Sequence, residues 1–282
     1  MYRCMNKLIL ALIAAFLLLI APAQSAIYVG GEDGLTSISE AIEKASENET
    51  IIVCEGIYHE NVVIDKPLIL KASGNVTIEA LNDSDFVVWI RANNVVFSGF
   101  NVKGGFVGIL LGYVHGCSRG CRIENNSVIE NDYGISVLFS SGNKIENNTA
   151  CENRGVGIHL GDSSGNEVRN NIANKNLRGI GLMNSSNNKI ESNTACENGA
   201  AGIHLVNSSG NEVRNNIANK NLGGIELMNS SNNKIENNTA CENTIVGIYL
   251  HDSPENEVSY NIAHKNTIGG IWLEPESNNN IF

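Results

Sequence analysis

Four side chains that could bind a sugar recur at almost constant spacing in the second half of the chain. They are His204, Glu226, Tyr249 and Trp272, and each is 22 or 23 residues from the next. Aromatic rings pack against the apolar C–H face of a sugar, while imidazole and carboxylate groups hydrogen-bond its hydroxyls. Together with Asp252, these residues form a candidate carbohydrate-binding set if the fold places them side by side. The alternative interpretation is that they are ordinary exposed side chains.

The same set offers little for cleaving a glycosidic bond. Hydrolysis usually requires two carboxyl groups about 5–9.5 Å apart, but Glu226 is the one acid among the four evenly spaced residues, and Asp252 is offset along the strand direction. His204 and Glu226 could act as an acid–base pair, and a simple ion pair explains them equally well. We therefore predict ligand binding and assign no catalytic residue.

A second candidate for chemistry lies in residues 113–121, which lengthen their repeat unit. His115, Cys117 and Cys121 are residue types that ligate zinc or copper. A Cys117–Cys121 disulfide is the simpler interpretation in an exported protein, because oxidising compartments favour disulfides. The sequence leaves a metal site, a disulfide and free thiols open, and no other cofactor is predicted.

The four evenly spaced residues belong to a repeat that fills residues 123–282. A 45-residue pattern begins at Asn143 and recurs at Asn188 and Asn233. Its halves resemble each other, so the basic unit has 22 or 23 residues. Each unit contains Gly-Ile-x-Leu or a close variant, in which inward Ile and Leu flank one outward residue. A unit that cannot bury an apolar face alone must stack on its neighbours.

Two positions of the unit hold only asparagine. Parallel strands about 4.8 Å apart would stack identical amides into ladders that hydrogen-bond from coil to coil. Connections between parallel strands are strongly biased to the right hand. We therefore predict an all-β fold, a right-handed parallel β-helix of 22–23-residue coils with three short strands per coil. The two columns are Asn126, Asn148, Asn171, Asn193, Asn216, Asn238 and Asn261, and Asn131, Asn153, Asn176, Asn198, Asn221, Asn243 and Asn266.

Charged residues alternate in sign from one unit to the next. Lys144 aligns with Glu167, and Glu152 aligns with Lys175. Opposite charges on adjacent strands contribute roughly 0.2–1 kcal/mol each, whereas like charges repel. We interpret this alternation as structural, and it explains why the full pattern has 45 residues.

The N-terminal residues 1–26 have the features of an export signal. Arg3 and Lys7 precede an apolar core and a small-residue cleavage region. This predicts an extracytoplasmic protein, whether secreted, periplasmic or bound at the cell surface. Residues 27–282 are then predicted to form a single β-helix domain.

The two ends of the predicted solenoid differ. Ser37 and Glu40 form a capping box, which predicts a short helix over residues 37–46 that covers the open N-terminal end. Residues 50–53 and 56–58 are predicted as separate strands of the first coils. Ile281 falls where another coil should begin, and no cap follows. That end could pair end to end with another molecule, or the reading frame could be truncated.

The charge balance constrains the partners. The chain has 30 acidic and 19 basic residues, a net charge of −11. An acidic surface argues against nucleic acid and anionic lipid as ligands. A polysaccharide or a cell-surface glycan fits better.

The repeats resemble those of a known superfamily. The pattern Asn-x-Ile-x-Asn-Asn followed by Gly-Ile-x-Leu, from Ile123 onward, resembles the parallel β-helix repeats of the pectate-lyase-like superfamily. The helix over residues 37–46 and the segment 49–64 resemble the N-terminal part of its NosD-like group. That group belongs to the carbohydrate-binding and sugar-hydrolase type of β-helix. Its name comes from a periplasmic protein linked to copper-site maturation of nitrous-oxide reductase.

The resemblance implies a fold more firmly than an activity. Lyases and hydrolases of the superfamily use clustered aspartates with Arg or Lys, and the outward positions at 204, 226, 249 and 272 carry no such cluster. Copper is implied by the resemblance alone. We predict an exported, non-catalytic protein that presents one face to a glycan. The alternatives are a copper-handling maturation factor and a polysaccharide lyase, hydrolase or epimerase.

Overall fold

The computed structural model describes residues 26–32, 34–113 and 118–282. They form a right-handed all-parallel β-solenoid of about 11 turns with one short helix, which confirms the predicted fold class. The predicted export signal, apart from residue 26, lies outside the described residues, as do His115 and Cys117. In the described part of the chain, no helix is long and apolar enough to span a membrane.

The elements are short and regular after residue 122. The helix is α1 (Ile38–Lys44). The strands are β1 (Ile27–Val29), β2 (Thr50–His59), β3 (Val62–Ile64), β4 (Ile69–Glu79), β5 (Phe86–Ile90), β6 (Val96–Ser98), β7 (Asn101–Lys103), β8 (Val107–Gly112), β9 (Arg122–Glu124), β10 (Ser127–Ile129), β11 (Tyr133–Leu138), β12 (Lys144–Glu146), β13 (Thr149–Cys151), β14 (Val156–Gly161), β15 (Glu167–Arg169), β16 (Arg178–Met183), β17 (Lys189–Glu191), β18 (Ala201–Val206), β19 (Glu212–Arg214), β20 (Gly223–Met228), β21 (Lys234–Glu236), β22 (Val246–His251), β23 (Glu257–Ser259) and β24 (Gly269–Leu273).

The described strands form two sheets. Sheet B has ten strands, from β3 and β5 through every Gly-Ile-x-Leu strand to β24. Sheet A has fourteen strands and two arms, because the long strand β4 pairs with both β6 and β7. One arm runs from β6 to β23. The other runs through β7, β10 and β13, and then continues as single parallel bridges from Thr149 to Ile262. From Ile172 onward, the third predicted strand of each coil is therefore reduced to a bridge.

The core is a stack of aliphatic side chains between the sheets. Ile158 and Leu160 are fully buried, while His159 between them reaches the surface, as strand alternation requires. At the N-terminal end, Ser37 caps α1 by accepting from the Glu40 amide at 3.2 Å. The buried face of α1 packs against the first strands, as predicted.

The prediction of separate strands at residues 50–53 and 56–58 was wrong. They form the single strand β2, in which the register with β4 shifts between Cys54 and Gly56. Gly56 has a φ of 157°, which only glycine adopts readily. The strand bends at this residue and continues instead of ending.

Both predicted asparagine ladders are present. Along the ladder that starts at Asn126, each side-chain amide donates to the oxygen of the next at 3.0–3.1 Å. Each oxygen also accepts the backbone N–H of the preceding ladder residue, and each amide also donates to a buried carbonyl, as Asn193 does to Val168. Buried backbone groups at the corners lack sheet partners, and asparagine supplies both a donor and an acceptor for them.

Two further buried ladders were not predicted. One is asparagine from Asn143 to Asn256, with amide-to-oxygen distances of 3.1–3.3 Å. The other is serine from Ser140 to Ser277, in which each hydroxyl accepts the backbone N–H of the previous serine at 3.0–3.1 Å. The corners of the regular coils are therefore held by side chains that replace sheet hydrogen bonds.

The alternating charges stack as predicted. Lys144 Nζ lies 3.6 Å from Glu167 Oε2 in the next coil, and Lys175 Nζ lies 3.5 Å from Glu152 Oε1. Such exposed pairs each contribute little to stability, but from Lys144 and Glu152 onward their in-register stacking places opposite charges next to each other. Before these residues like charges are in register, as Arg122 is with Lys144.

Candidate functional site

Four of the five predicted ligand residues lie in one outward column of sheet B. His204 pairs in register with Glu226, Glu226 with Tyr249, and Tyr249 with Trp272. Successive side chains are therefore one strand spacing apart, about 4.8 Å. In β18, β20 and β22 the Gly-Ile-x-Leu motif produces this arrangement, because its Ile and Leu are buried and fix the middle residue outward. Trp272 lies in the last strand, β24, where Ile271 and Leu273 are exposed.

A cleft of about 300 Å³ lies at the C-terminal end of this column. Tyr249 Oη donates to Glu274 Oε1 at 2.8 Å, so the phenol has a fixed orientation. Burial, followed by the hydrogen bond to Glu274, raises the pKa of Tyr249 to about 12. The phenol therefore stays protonated, and the indole of Trp272 beside it is 45% exposed. The lining residues are Glu226, Ile245, Val246, Tyr249, Ile268, Trp272 and Glu274.

Glu226 is partly withdrawn from solvent. Its carboxylate lies over Gly223, where a Cβ atom would collide with Oε1. Burial raises the pKa of Glu226, and the positive charge of Arg178 opposes that shift.

A second cleft of about 310 Å³ lies beside His204. It exists because Gly181 has no side chain at the outward position between His159 and His204. Burial, assisted by the charge of Arg178, lowers the pKa of His204 to about 4. His204 Nε2 lies 3.4 Å from Met228 Sδ. At neutral pH, His204 is thus an uncharged hydrogen-bonding group with an apolar neighbour.

The lowered pKa of His204 predicts a pH dependence of folding. Because its folded pKa of about 4 lies below the ordinary 6.5, the unfolded chain binds the proton more tightly. The stability contributed by neutral His204 is complete above pH 6.5 and is lost as the pH falls towards 4. We expect the melting temperature of the parent to fall more steeply in this interval than that of His204→Gln. Equal slopes in thermal scans would contradict a buried, neutral His204.

Asp252, the fifth predicted residue, lies at the rim and does not line the C-terminal cleft. It occupies the corner after β22 with a φ of 45°, and its Oδ2 lies 3.3 Å from His251 Nε2. The His251 ring stacks on Tyr249 with centroids 6.2 Å apart. Asp252 therefore acts on the cleft through its charge, which helps to raise the pKa of Tyr249.

Sequence reasoning missed Arg178 and Glu274. Arg178 begins β16, and its charge influences both His204 and Glu226, although it is not in their column. Glu274 directly follows β24 and aligns with His251 and Met228 of the two preceding coils, a position outside the column that the sequence pattern singled out.

A group of aromatic residues at the other end of sheet B was also missed. Trp89 lies in the outward column, in register with Leu110. The Phe86 ring is 5.5 Å from the Trp89 ring, and the Arg91 guanidinium lies 5.2 Å from its centroid. The spacing changes in residues 113–121, which hid the alignment of Trp89 with the later repeats.

The described residues do not support a metal centre. Cys121 is fully buried, with Sγ 3.2 Å from the Ala92 carbonyl oxygen. Burial raises its thiol pKa to about 11, which disfavours the thiolate that binds metals. Within residues 26–32, 34–113 and 118–282, no three His, Cys, Asp or Glu side chains could hold one ion. His115 and Cys117 lie outside these ranges, so the proposed cluster and disulfide stay predictions.

Known structures with the same fold include carbohydrate-active proteins. The A-module of mannuronan C-5 epimerase AlgE6 from Azotobacter vinelandii matches with a TM-score of 0.64 at 17% identity, over 87% of this chain and 91% of that one. The Dettilon tailspike protein matches with a TM-score of 0.72 at 18% identity, over 91% and 56%. An alginate lyase from Paenibacillus sp. matches with a TM-score of 0.61 at 13% identity, over 90% and 99%. At these identities the likeness concerns the fold alone.

Comparison by sequence finds one relative and two family models. A cell surface glycoprotein of Methanothermus fervidus is 33% identical over 155 residues, which cover 44% of this chain and 26% of that protein. The chain thus spans about a quarter of the relative's length. Residues 192–282 match the family model described as periplasmic copper-binding protein (NosD), which confirms the predicted resemblance. Residues 68–223, more than half of the chain, match the model described as right handed beta helix region. The chain therefore belongs to the right-handed β-helix family.

Proposed function

We propose that this protein binds carbohydrate outside the cytoplasm, through the outward face of sheet B. The observation that carries the proposal is the C-terminal cleft. There, a half-exposed Trp272 lies next to Tyr249, whose hydroxyl is fixed by Glu274. A ring for stacking beside oriented polar groups is the arrangement that sugar binding requires.

The charges at the cleft favour a neutral glycan. Glu226, Asp252 and Glu274 all act on Tyr249 electrostatically, so three acidic side chains surround the phenol. The whole chain is also acidic. An anionic sugar chain would meet repulsion here, whereas the hydroxyls of a neutral sugar can donate to these carboxylates.

The similar proteins support the class of ligand and the location. Two of the structural neighbours are named for mannuronan and alginate, which are polysaccharides. The sequence relative is named a cell surface glycoprotein, and the family matched by residues 192–282 is called periplasmic. These names agree with an extracytoplasmic glycan-binding protein.

A glycan array with the purified protein tests the proposal. We expect retention of neutral polysaccharide, weaker or no retention of alginate, and no shortening of the bound chains. Absence of retention on every glycan would remove the proposed function. Chain cleavage or epimerisation that Glu226→Gln abolishes would replace it with the enzymatic alternative.

Copper handling is a second candidate, favoured by the match of residues 192–282 to the NosD model. The described residues do not offer a set of ligands for copper, since Cys121 is buried and its thiol is hydrogen-bonded to the Ala92 carbonyl oxygen. Metal analysis of the sample used for the array decides between the two. Stoichiometric copper that is lost on changing His115 or Cys117 would favour this candidate over glycan binding.

A further inference from the structure

A column of exposed apolar residues lies on sheet A, along the row of single parallel bridges from Thr149 to Ile262. Ile172, Ile217 and Ile262 are 43, 42 and 52% exposed there. They alternate with the half-buried threonines Thr149, Thr194 and Thr239 in one row of parallel bridges. We call the outward surface of these six coils the Thr/Ile face. It is about 25 Å long, at one strand spacing per coil.

The six coils of this face are of two kinds. Where a coil carries isoleucine it also carries lysine three residues later, and where it carries threonine it also carries glutamate. The outward residue between them is asparagine or histidine in the first kind and cysteine in the second. The first kind comprises Ile172 with Asn174 and Lys175, Ile217 with Asn219 and Lys220, and Ile262 with His264 and Lys265. The second comprises Thr149 with Cys151 and Glu152, Thr194 with Cys196 and Glu197, and Thr239 with Cys241 and Glu242.

This alternation makes the face complementary to itself. Two copies related by a two-fold axis that lies in the interface, perpendicular to the solenoid axis, run antiparallel. Each column then faces the same column of the partner, in reverse coil order. With all six coils overlapping, the first coil meets the last, and every isoleucine coil meets a threonine coil. Large side chains face small ones, and each lysine faces a glutamate.

We propose that the protein forms a homodimer through the Thr/Ile face, with the two solenoids antiparallel. The two-fold axis passes between the coils of Thr194 and Ile217. Ile217 packs against the partner's Thr194, and Lys220 pairs with the partner's Glu197. This proposal does not depend on glycan binding, because sheet B lies on another side of the solenoid.

The charge pattern also disfavours a slip by one coil. Such a slip would place isoleucine coils against isoleucine coils and threonine coils against threonine coils, so lysine would face lysine and glutamate would face glutamate. Like charges opposed across an interface are unfavourable and suppress wrong pairings. Within each copy, the same charges already pair between coils, as Lys175 does with Glu152 at 3.5 Å. In the dimer every charge on the face therefore meets an opposite charge across the interface as well.

The narrow face predicts a dimer of modest affinity, with a dissociation constant in roughly the micromolar range. Exposed leucines reinforce it, because Leu177 and Leu222 lie five residues after Ile172 and Ile217 in the same coils. Their counterparts in two threonine coils are the smaller Gly199 and Thr244. The alternation of large and small residues thus continues beyond the column in the four central coils, whereas the two end coils carry Arg154 and Thr267.

Sedimentation velocity over a concentration series tests the proposal with the purified protein. We expect the parent to approach twice the mass of one chain as concentration rises. Ile217→Lys should raise the dissociation constant at least about hundredfold, because it acts twice at the symmetric centre. Ile217→Thr introduces the residue that the two neighbouring coils already carry at this position, so the variant should keep the fold. It should also weaken the dimer, because the apolar contact is smaller.

Two controls make the result specific. Leu81→Lys changes an exposed apolar residue outside the face and should leave the dimer intact. Lys220→Glu should weaken association, and adding Glu197→Lys to it should restore association by reversing the pair. A parent that stays monomeric throughout the series would overturn the proposal. A dimer that tolerates Ile217→Lys as well as Leu81→Lys would overturn it equally.

Discussion

Replacing Asn193 with alanine is expected to destabilise the protein by about 4 kcal/mol. Asn193 is buried, its oxygen accepts from the Asn171 backbone N–H at 2.9 Å, and its amide donates to the Val168 carbonyl at 2.9 Å. Both backbone groups lose their partners in the variant, and each unsatisfied buried group costs roughly 1–3 kcal/mol. The broken contacts with the Asn171 and Asn216 side chains add to this loss.

Urea unfolding followed by circular dichroism measures the effect. Lys189→Ala provides the matched control, because Lys189 belongs to the same coil but is exposed. An exposed substitution of this kind usually changes stability by no more than about 0.5 kcal/mol. If the unfolding midpoints of Asn193→Ala and Lys189→Ala coincided, the ladder would not be the element that holds the corners.

Replacing Tyr249 and Trp272 together with alanine is expected to abolish retention on neutral polysaccharide. The double variant removes the stacking ring and the oriented phenol from the C-terminal cleft. Buried aromatic residues at binding hot spots each contribute about 2 kcal/mol or more. We therefore expect affinity to fall at least about hundredfold, measured by affinity electrophoresis in gels that contain the neutral polysaccharide retained on the array.

Tyr260→Ala is the control for this experiment. Tyr260 is 81% exposed and follows β23 of sheet A, on a different side of the solenoid. The Tyr260→Ala variant should be retained by the polysaccharide as strongly as the parent. This result would separate the loss of the cleft from a general loss of exposed aromatic surface. Unchanged mobility of the double variant would place the binding surface elsewhere on the molecule.

The stacked repeats explain why much of the fold could be predicted from sequence. In a solenoid, residues one unit apart become neighbours, so spacing alone predicted the pairing of Tyr249 with Trp272 and of Lys144 with Glu167. The same reasoning failed in β2, where the spacing is irregular. There, only tertiary register decides whether a strand ends or bends.

The candidate site was less predictable because it depends on side-chain direction. The outward column could be derived from strand alternation. The influence of Arg178 on Glu226, and the space over Gly223 into which the Glu226 carboxylate extends, involve residues of different columns and could not be derived in this way. Glu274 lies two residues after Trp272, outside the column formed by His204, Glu226, Tyr249 and Trp272. The serine ladder was missed for a different reason. Serine is common in turns, so its recurrence at Ser163 and Ser185 did not suggest a buried structural role.

The two kinds of coil limit how a chain of this type can lengthen. A single added coil would stack glutamate on glutamate or lysine on lysine next to the insertion. An added pair would keep opposite charges in register throughout. Lengthening that preserves the charge pairing therefore proceeds in steps of 45 residues, twice the length of one coil.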